Sequence, residues 1–246
     1  MTDFDPREYG ARWAEFYDEW HEGLMDNEGA VAVVSELGGP ILELAVGTGR
    51  LAIPLAERGL EVVGVDISEE MLAQLRAKPG AERVETIVGD MTTVRVDREF
   101  GVVLLAYSSL FVLGTQEAQV QLFRNAADHL RPGGRFALET WVVEPPGGSN
   151  QQRLVVSKIE SDRMVLTAGL FDPVTSFYNG TWVVLEPGGA KFYPIQGRHV
   201  SHHEMDLMAQ LAGFELEHRW GDWKRGPFTA QSRLHVSIYR KPVPPA

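Results

Sequence analysis

The chain has 246 residues, 44% of them apolar, enough for one large domain with a substantial core. Its 23 Lys+Arg against 34 Asp+Glu give a net charge of −11, which argues against a nucleic-acid backbone or an anionic membrane surface as partner. Residues 1–30 carry nine acids and two bases, so −7 of that charge sits there. The absence of cysteine excludes disulfides, thiolate nucleophiles and Cys-ligated zinc. The opening MTDFDPREYG has neither the basic start nor the apolar run of a secretory signal, and the longest apolar stretch, Gly101–Gly114, is too short to span a bilayer. A soluble, cytoplasmic, globular protein is expected.

Aromatic residues Tyr9, Trp13, Phe16, Tyr17 and Trp20 recur at helical spacing on an acidic segment. This stripe either packs on the core or forms a lid over a site. Ile41–Val46 is strand-like, Arg50–Arg58 helical with Pro54 tolerated in the first turn, and Leu60–Val65 a second strand. Ser68 caps a helix to Ala77 that Pro79-Gly80 stops. Val84–Val88 and Phe100–Tyr107 are the third and fourth strands, and VVLLAY suits burial on both faces. Thr115–Leu130 is helical with Val120, Phe123, Ala127 and Leu130 on one stripe, Arg131-Pro-Gly-Gly134 ends it, and Arg135–Val143 is a fifth strand. Such alternation predicts a doubly wound parallel α/β sheet. The pattern changes at Glu144-Pro-Pro-Gly-Gly-Ser149. Residues 153–200 alternate β-branched and aromatic residues, divided by Asp172-Pro173 and Pro187-Gly-Gly189, which predicts an inserted antiparallel meander. A helix His202–Ala212 and strands Phe214–Trp220 and Arg233–Arg240 complete the chain.

The informative segment is Ile41-Leu-Glu-Leu-Ala-Val-Gly-Thr-Gly-Arg50, a strand running into glycines that open a helix, so backbone amides approach a ligand closely. Asp66 follows Gly47 by 19 residues, where a carboxylate can accept from ribose hydroxyls. By spacing alone, Gly47-x-Gly49-x-x-Ala52 also fits a nicotinamide dinucleotide site. Glu43 argues otherwise. An unpaired carboxylate in a central strand costs several kcal/mol, and an anionic pyrophosphate gives it no partner, whereas a ligand with a cationic end does.

With these motifs the chain resembles the class I S-adenosylmethionine-dependent methyltransferases. Glu43-Leu-Ala-Val-Gly-Thr-Gly49 resembles their first motif, Asp66 the ribose-binding acid, Gly89-Asp90-Met91 the adenine-side motif, and Leu130-Arg-Pro-Gly-Gly-Arg135 and Ala212-Gly213-Phe214 further signatures. The likeness covers residues 40–145 and 200–240, with Ala45 standing where the family usually has glycine and Gly101 where an aspartate often follows the aromatic of strand four. It implies a mostly parallel seven-stranded Rossmann-like sheet, one domain over 1–246, an N-terminal lid over 1–38 and a meander over 149–200 covering the acceptor. The implied reaction is methyl transfer from S-adenosylmethionine to an O or N atom of a small molecule in specialised metabolism. On this reading the cofactor-binding residues are Tyr17, Glu43, Ala45, Gly47, Gly49, Asp66, Ile67, Gly89, Asp90, Met91, Ala106 and Tyr107. Acceptor-lining candidates are Trp13, Ser108, Glu139, Trp141, Phe177, Tyr178 and Trp223, because ligands sit beyond the carboxyl ends of such strands. Phe171 and Trp182 belong to the same roof.

Candidate bases are Glu139, His202, His203 and Tyr107. Ser201-x-x-Glu204 reads as a capping box that points His202 and His203 in different directions, so no metal site is expected. His129 and the remaining histidines read as exposed or capping, and Gly221-Asp222 as a turn. A nicotinamide-dependent oxidoreductase and a non-catalytic nucleoside-binding module are the alternatives. A homodimer through a meander edge stays open.

Overall fold

The computed structural model describes residues 6–21, 23, 25–142 and 152–244. The aromatic N-terminal segment forms two short helices, α1 (Pro6–Trp13) and α2 (Tyr17–His21), followed by α3 (Asn27–Leu37), which Asp26 caps through a bond from Gly29 N–H. Then come β1 (Ile41–Leu44), α4 (Ala52–Glu57), β2 (Val62–Asp66), α5 (Glu69–Arg76), β3 (Val84–Val88), β4 (Phe100–Leu105), α6 (Gln116–His129) and β5 (Leu130–Trp141). The meander is β6 (Gln152–Ile159), β7 (Met164–Asp172), β8 (Phe177–Glu186) and β9 (Gly189–Arg198). Helix α7 (His202–Leu211), β10 (Glu215–Trp220) and β11 (Leu234–Arg240) end the chain.

Seven strands form one sheet in the order β10-β11-β5-β4-β1-β2-β3, parallel from β5 to β3, with β11 and β10 antiparallel at the other edge. β1 and β4 are buried throughout, as expected of strands covered by helices on both faces. The order reverses between β1 and β4, so a crevice opens beyond their carboxyl ends. The four meander strands form a second, antiparallel sheet. The expected break at Glu144–Ser149 falls outside the described residues.

Local differences from the sequence reading have physical causes. Helix α6 turns Leu122, Phe123 and Ala126 fully inward together with Gln119, Asn125 and His129, while Val120 and Ala127 are only partly buried. The buried polar groups are satisfied. Gln119 donates to Leu110 O and Arg198 O, and Asn125 donates to Met91 O. His129, expected at the surface, is 3% exposed and accepts Val96 N–H at Nε2. The Arg131–Gly134 segment does not stand outside the sheet: β5 begins at Leu130, which pairs with Phe100 before a register shift to Val102–Arg135. The capping box before α7 is half made. Ser201 accepts Glu204 N–H, but the Glu204 carboxylate pairs with Arg198 and Gln116.

Three apolar clusters result, one on each face of the large sheet and a third where α1, α2 and α5 meet the meander. In the third, Trp13 is 1% exposed, edge-on to Trp182 at 5.0 Å and close to Tyr193 at 5.1 Å. The aromatic stripe therefore packs against the meander rather than against the large sheet.

Candidate active site

Beyond the carboxyl ends of β1, β2, β3 and β4 lies a cavity of about 220 Å3, far more than a few waters need. Its floor is the turn after β1. Ala45 and Gly47 take left-handed backbone at φ 53° and 56°, and a Cβ on Gly47 would meet nothing within 4 Å, so the bare Cα of this turn leaves room for a ligand. Gly49, also left-handed, does not line the cavity; a Cβ there would strike Leu75, so this glycine serves packing.

Asp66, at the end of β2, accepts Gly47 N–H at 2.8 Å and Ser68 N–H at 2.9 Å, which ties the turn to the cavity wall. Burial outweighs these bonds and raises its pKa. Glu43, in β1, does not itself line the cavity; it is 4% exposed, and its Oε2 has no hydrogen-bond partner among the described residues. Burial pushes its pKa to about 8, against the opposing pull of Arg50 and with the help of Asp66. A cationic ligand group would relieve this orphaned carboxyl. Ile67, Gly89, Asp90 and Met91 line the same end, with Asp90 Oδ1 held by the N–H and hydroxyl of Thr92.

The other end is aromatic. Trp13, Tyr107, Trp141, Tyr178 and Trp182 line it, while Tyr17 lies toward Asp66. Tyr107 and Ser108 follow β4 in left-handed backbone at φ 54° and 59°, a costly pair for residues with side chains. They are held from β5: Glu139 Oε2 accepts Tyr107 N–H at 2.9 Å, Glu139 O accepts Ser108 N–H, and Ser108 Oγ accepts Trp141 N–H.

The remaining sequence candidates lie elsewhere. Glu139 does not line the cavity; its second oxygen accepts Trp223 Nε1–H at 3.0 Å, and Trp223 is 3% exposed in the core. Ala106 and Phe177 are likewise not in the lining. His202 and His203 stand outside the cavity with ring centroids 3.9 Å apart, not in different directions, and His202 packs on Phe228. Asp222 accepts Gly226 N–H, as a turn residue does. No group of three or more metal-ligating side chains occurs among the described residues, and none of the described helices is long and apolar enough to cross a membrane. Among the cavity residues that sequence reasoning missed are two imidazoles, His21 and His199. Neither lies in a motif, and only the docking of α2 and the end of β9 brings them there.

The N-terminal helices are latched to the glycine turn. Thr48 Oγ1 donates to Asp18 at 2.6 Å, Asp18 pairs with Lys78 at 2.5 Å, and Lys78 donates back to Thr48 O at 2.8 Å.

Residues 41–134 match a family model described as a methyltransferase domain. Over 96% of this chain and 99% of that protein, the sequence is 32% identical to the cypemycin N-terminal methyltransferase of a Streptomyces species. The chain belongs to the class I S-adenosylmethionine-dependent methyltransferases. The solved structure of the CcbJ methyltransferase from Streptomyces caelestis superposes with a TM-score of 0.91 at 35% identity, covering 98% of this chain and 100% of that one. CalS10, an amino pentose methyltransferase from Micromonospora echinaspora solved with the cofactor bound, shares the fold at a TM-score of 0.64 and 20% identity, over 98% of this chain and 99% of that one. This enzyme uses S-adenosylmethionine to methylate an O or N atom of a small-molecule acceptor; the oxidoreductase and non-catalytic readings fall away. The orphaned Glu43 oxygen and the open space at Gly47 fit that cofactor, whose α-ammonium and sulfonium supply the positive charge a dinucleotide lacks.

Proposed function

We propose that this methyltransferase acts on an amine nitrogen of a small molecule or peptide, held between a lid formed by residues 1–38 and a roof formed by the 149–200 meander. The observation that carries this is the chemistry of the acceptor end. Among the described lining residues the carboxylates are Asp66 and Asp90, both at the β2–β3 end, and there is no Lys or Arg. An amine entering from water meets aromatic faces, which attract its cationic form on approach. It finds no carboxylate to keep it protonated, and desolvation lowers its pKa toward the neutral, nucleophilic form. The name of the cypemycin relative, an N-terminal methyltransferase, points the same way.

When bound, S-adenosylmethionine supplies an electrophilic methyl group carried on a sulfonium. On this reading Glu43 pairs with its ammonium, Asp66 accepts from its ribose hydroxyls, the bare Cα of Gly47 lets it come close to the turn, and Asp90 and Met91 face its base. Tyr17, from α2, closes the cofactor end. The remaining work of the protein is to align the acceptor and exclude water, and such alignment is worth about 7–11 kcal/mol. Tyr178 lies across Gly169 and Gly180, where a Cβ would come within 2.3 and 2.4 Å of its ring or hydroxyl. The meander thus presents a flat aromatic face to the acceptor.

The test is a panel of matched amine and hydroxyl acceptors of similar size, with product mass read after incubation with the cofactor. A single or double methyl gain on amines supports the reading, and turnover confined to hydroxyl acceptors overturns it. Dimerisation is a lesser proposal: Leu154, Val156 and Ile159 are exposed on the edge strand β6, and sedimentation measures the outcome.

A further inference from the structure

We propose that His21 is the residue that takes the proton from the acceptor nitrogen, through Nε2. The inference rests on the amine reading above and adds the group that prepares the nucleophile. No sequence motif marks this residue; its place in the fold does.

His21 is the last residue of α2 and is 6% exposed. Its Nδ1 lies 2.6 Å from Tyr17 O, one turn earlier in the chain. A carbonyl only accepts, so Nδ1 must carry the proton in that bond, and the neutral ring then leaves Nε2 as a lone pair. The ring lines the cavity. It packs on Tyr17 at 4.2 Å, edge-on to Tyr107 at 5.1 Å and parallel to Trp182 at 6.1 Å. It therefore sits at the boundary between the two ends of the cavity, since Tyr107 leads from β4 and Tyr17 closes over the cofactor end.

Burial lowers the pKa of His21, the bond to Tyr17 O raises it, Arg50 lowers it and Asp18 raises it, with a net downward result. Asp18 is committed to Lys78 and Thr48. Trp13 and Trp182, which also flank the ring, carry no charge.

The step is a proton transfer. The N–H bond of the ammonium breaks, its electron pair stays on nitrogen as the nucleophilic lone pair, and the proton forms an N–H bond at Nε2 to give an imidazolium. Ammonium and imidazolium carry the same charge, so burial penalises both, and the transfer is drawn forward as the freed lone pair is consumed by the methyl group. His199 is the competing imidazole. It stacks on Tyr178 at 5.3 Å and lies near Phe111 and Phe171, far from Tyr17. Burial and Arg153 lower its pKa to about 4, and no hydrogen bond fixes its ring tautomer among the described residues. Packed among the rings of the roof and with no bond to orient it, His199 is suited to packing an acceptor rather than to deprotonating it.

The experiment has two arms. Nitrogen-15 NMR of the cofactor-free protein reads the two ring nitrogens of His21. A protonated Nδ1 and a bare Nε2 from pH 6.5 to 8 is the expected result; the opposite tautomer, or an imidazolium at pH 7, overturns the proposal without any variant. In the second arm His21→Gln and His199→Gln are compared with wild type on an amine acceptor. His21→Gln is expected to lower kcat about 10²-fold, in the range general-base catalysis supplies. It is also expected to abolish the acid limb of the kcat profile while S-adenosylhomocysteine affinity stays within about threefold. His199→Gln is expected to raise the acceptor KM and keep that limb. A His21→Gln protein that retains wild-type kcat and the acid limb overturns the assignment. Failure of the amine reading shows differently, as wild-type turnover on hydroxyl acceptors alone.

Discussion

Replacing Glu139 with Gln separates a positioning role from a catalytic one. The carboxylate is 6% exposed and receives two donors, Tyr107 N–H at 2.9 Å and Trp223 Nε1–H at 3.0 Å, one on each oxygen. Glutamine preserves the shape but converts one of those acceptors into an NH2 group that confronts an N–H. A hydrogen bond to a charged group is worth about 1.5–3 kcal/mol, and a stranded buried donor costs about 1–3 kcal/mol. The two overlap, so a destabilisation of about 2–4 kcal/mol is expected. At about 2–4 °C per kcal/mol for a chain of this size, Tm should fall by about 5–15 °C. The left-handed pair Tyr107–Ser108 loses its anchor, so the acceptor KM should rise while the pH profile keeps its shape. Calorimetry and steady-state kinetics across pH measure both. An unchanged Tm with kcat down 10²-fold and the acid limb lost would make Glu139 the base and refute the reasoning.

Asp66→Ala removes two turn-fixing bonds and the group facing the ribose, so S-adenosylhomocysteine affinity by calorimetric titration should fall at least about tenfold, each factor of ten being about 1.4 kcal/mol; unchanged affinity contradicts the assignment. Glu43, with its pKa raised to about 8 by burial, holds a proton at pH 7 that the unfolded chain does not, so its contribution to stability falls as pH rises from the ordinary carboxylate range toward 8. Pairing with the ligand's ammonium should expel that proton, and titrations in buffers of different ionisation enthalpy should show release approaching one proton, abolished in Glu43→Gln. Ala45→Gly relieves left-handed strain of about 1–2 kcal/mol against about 0.5–1 kcal/mol of added chain entropy, so denaturation should show a neutral to slightly stabilised protein. Trp13→Ala empties a buried site against Trp182 and Tyr193, a change that costs about 3–5 kcal/mol, and protease should then cut the first 38 residues faster while the large sheet stays protected.

Strands β1 to β5 and the meander were legible because burial on two faces and alternation on one leave different patterns in sequence, and the meeting of Gly47, Asp66 and Asp90 in one cavity was legible because they lie in turns at the carboxyl ends of parallel strands. The acceptor end was not. Glu139 and Trp141 stand near the carboxyl end of β5, yet chain position says nothing about which wall a side chain meets. Glu139 shares its face with Ala137, in the cluster that holds Trp223, and so turns away from the cavity. His21 and His199 enter from α2 and β9, segments with no periodic or motif signal relating them to β4. The inward turn of polar Gln119 and Asn125 leaves no mark in the sequence, because their buried partners, the carbonyls of Leu110, Arg198 and Met91, come from other parts of the chain.

The latch of Asp18 on Thr48 and Lys78 joins the first helices to the very turn that leaves room for the cofactor. Lifting the helices strips a hydrogen bond from that turn, and reshaping the turn to release a nucleoside strips the same bond from the helices. With residues 1–38 acting as the proposed lid, exit of the spent cofactor and opening of the acceptor chamber are coupled through this bond. An acceptor that props the helices apart speeds cofactor exchange, and one that pins them down slows it.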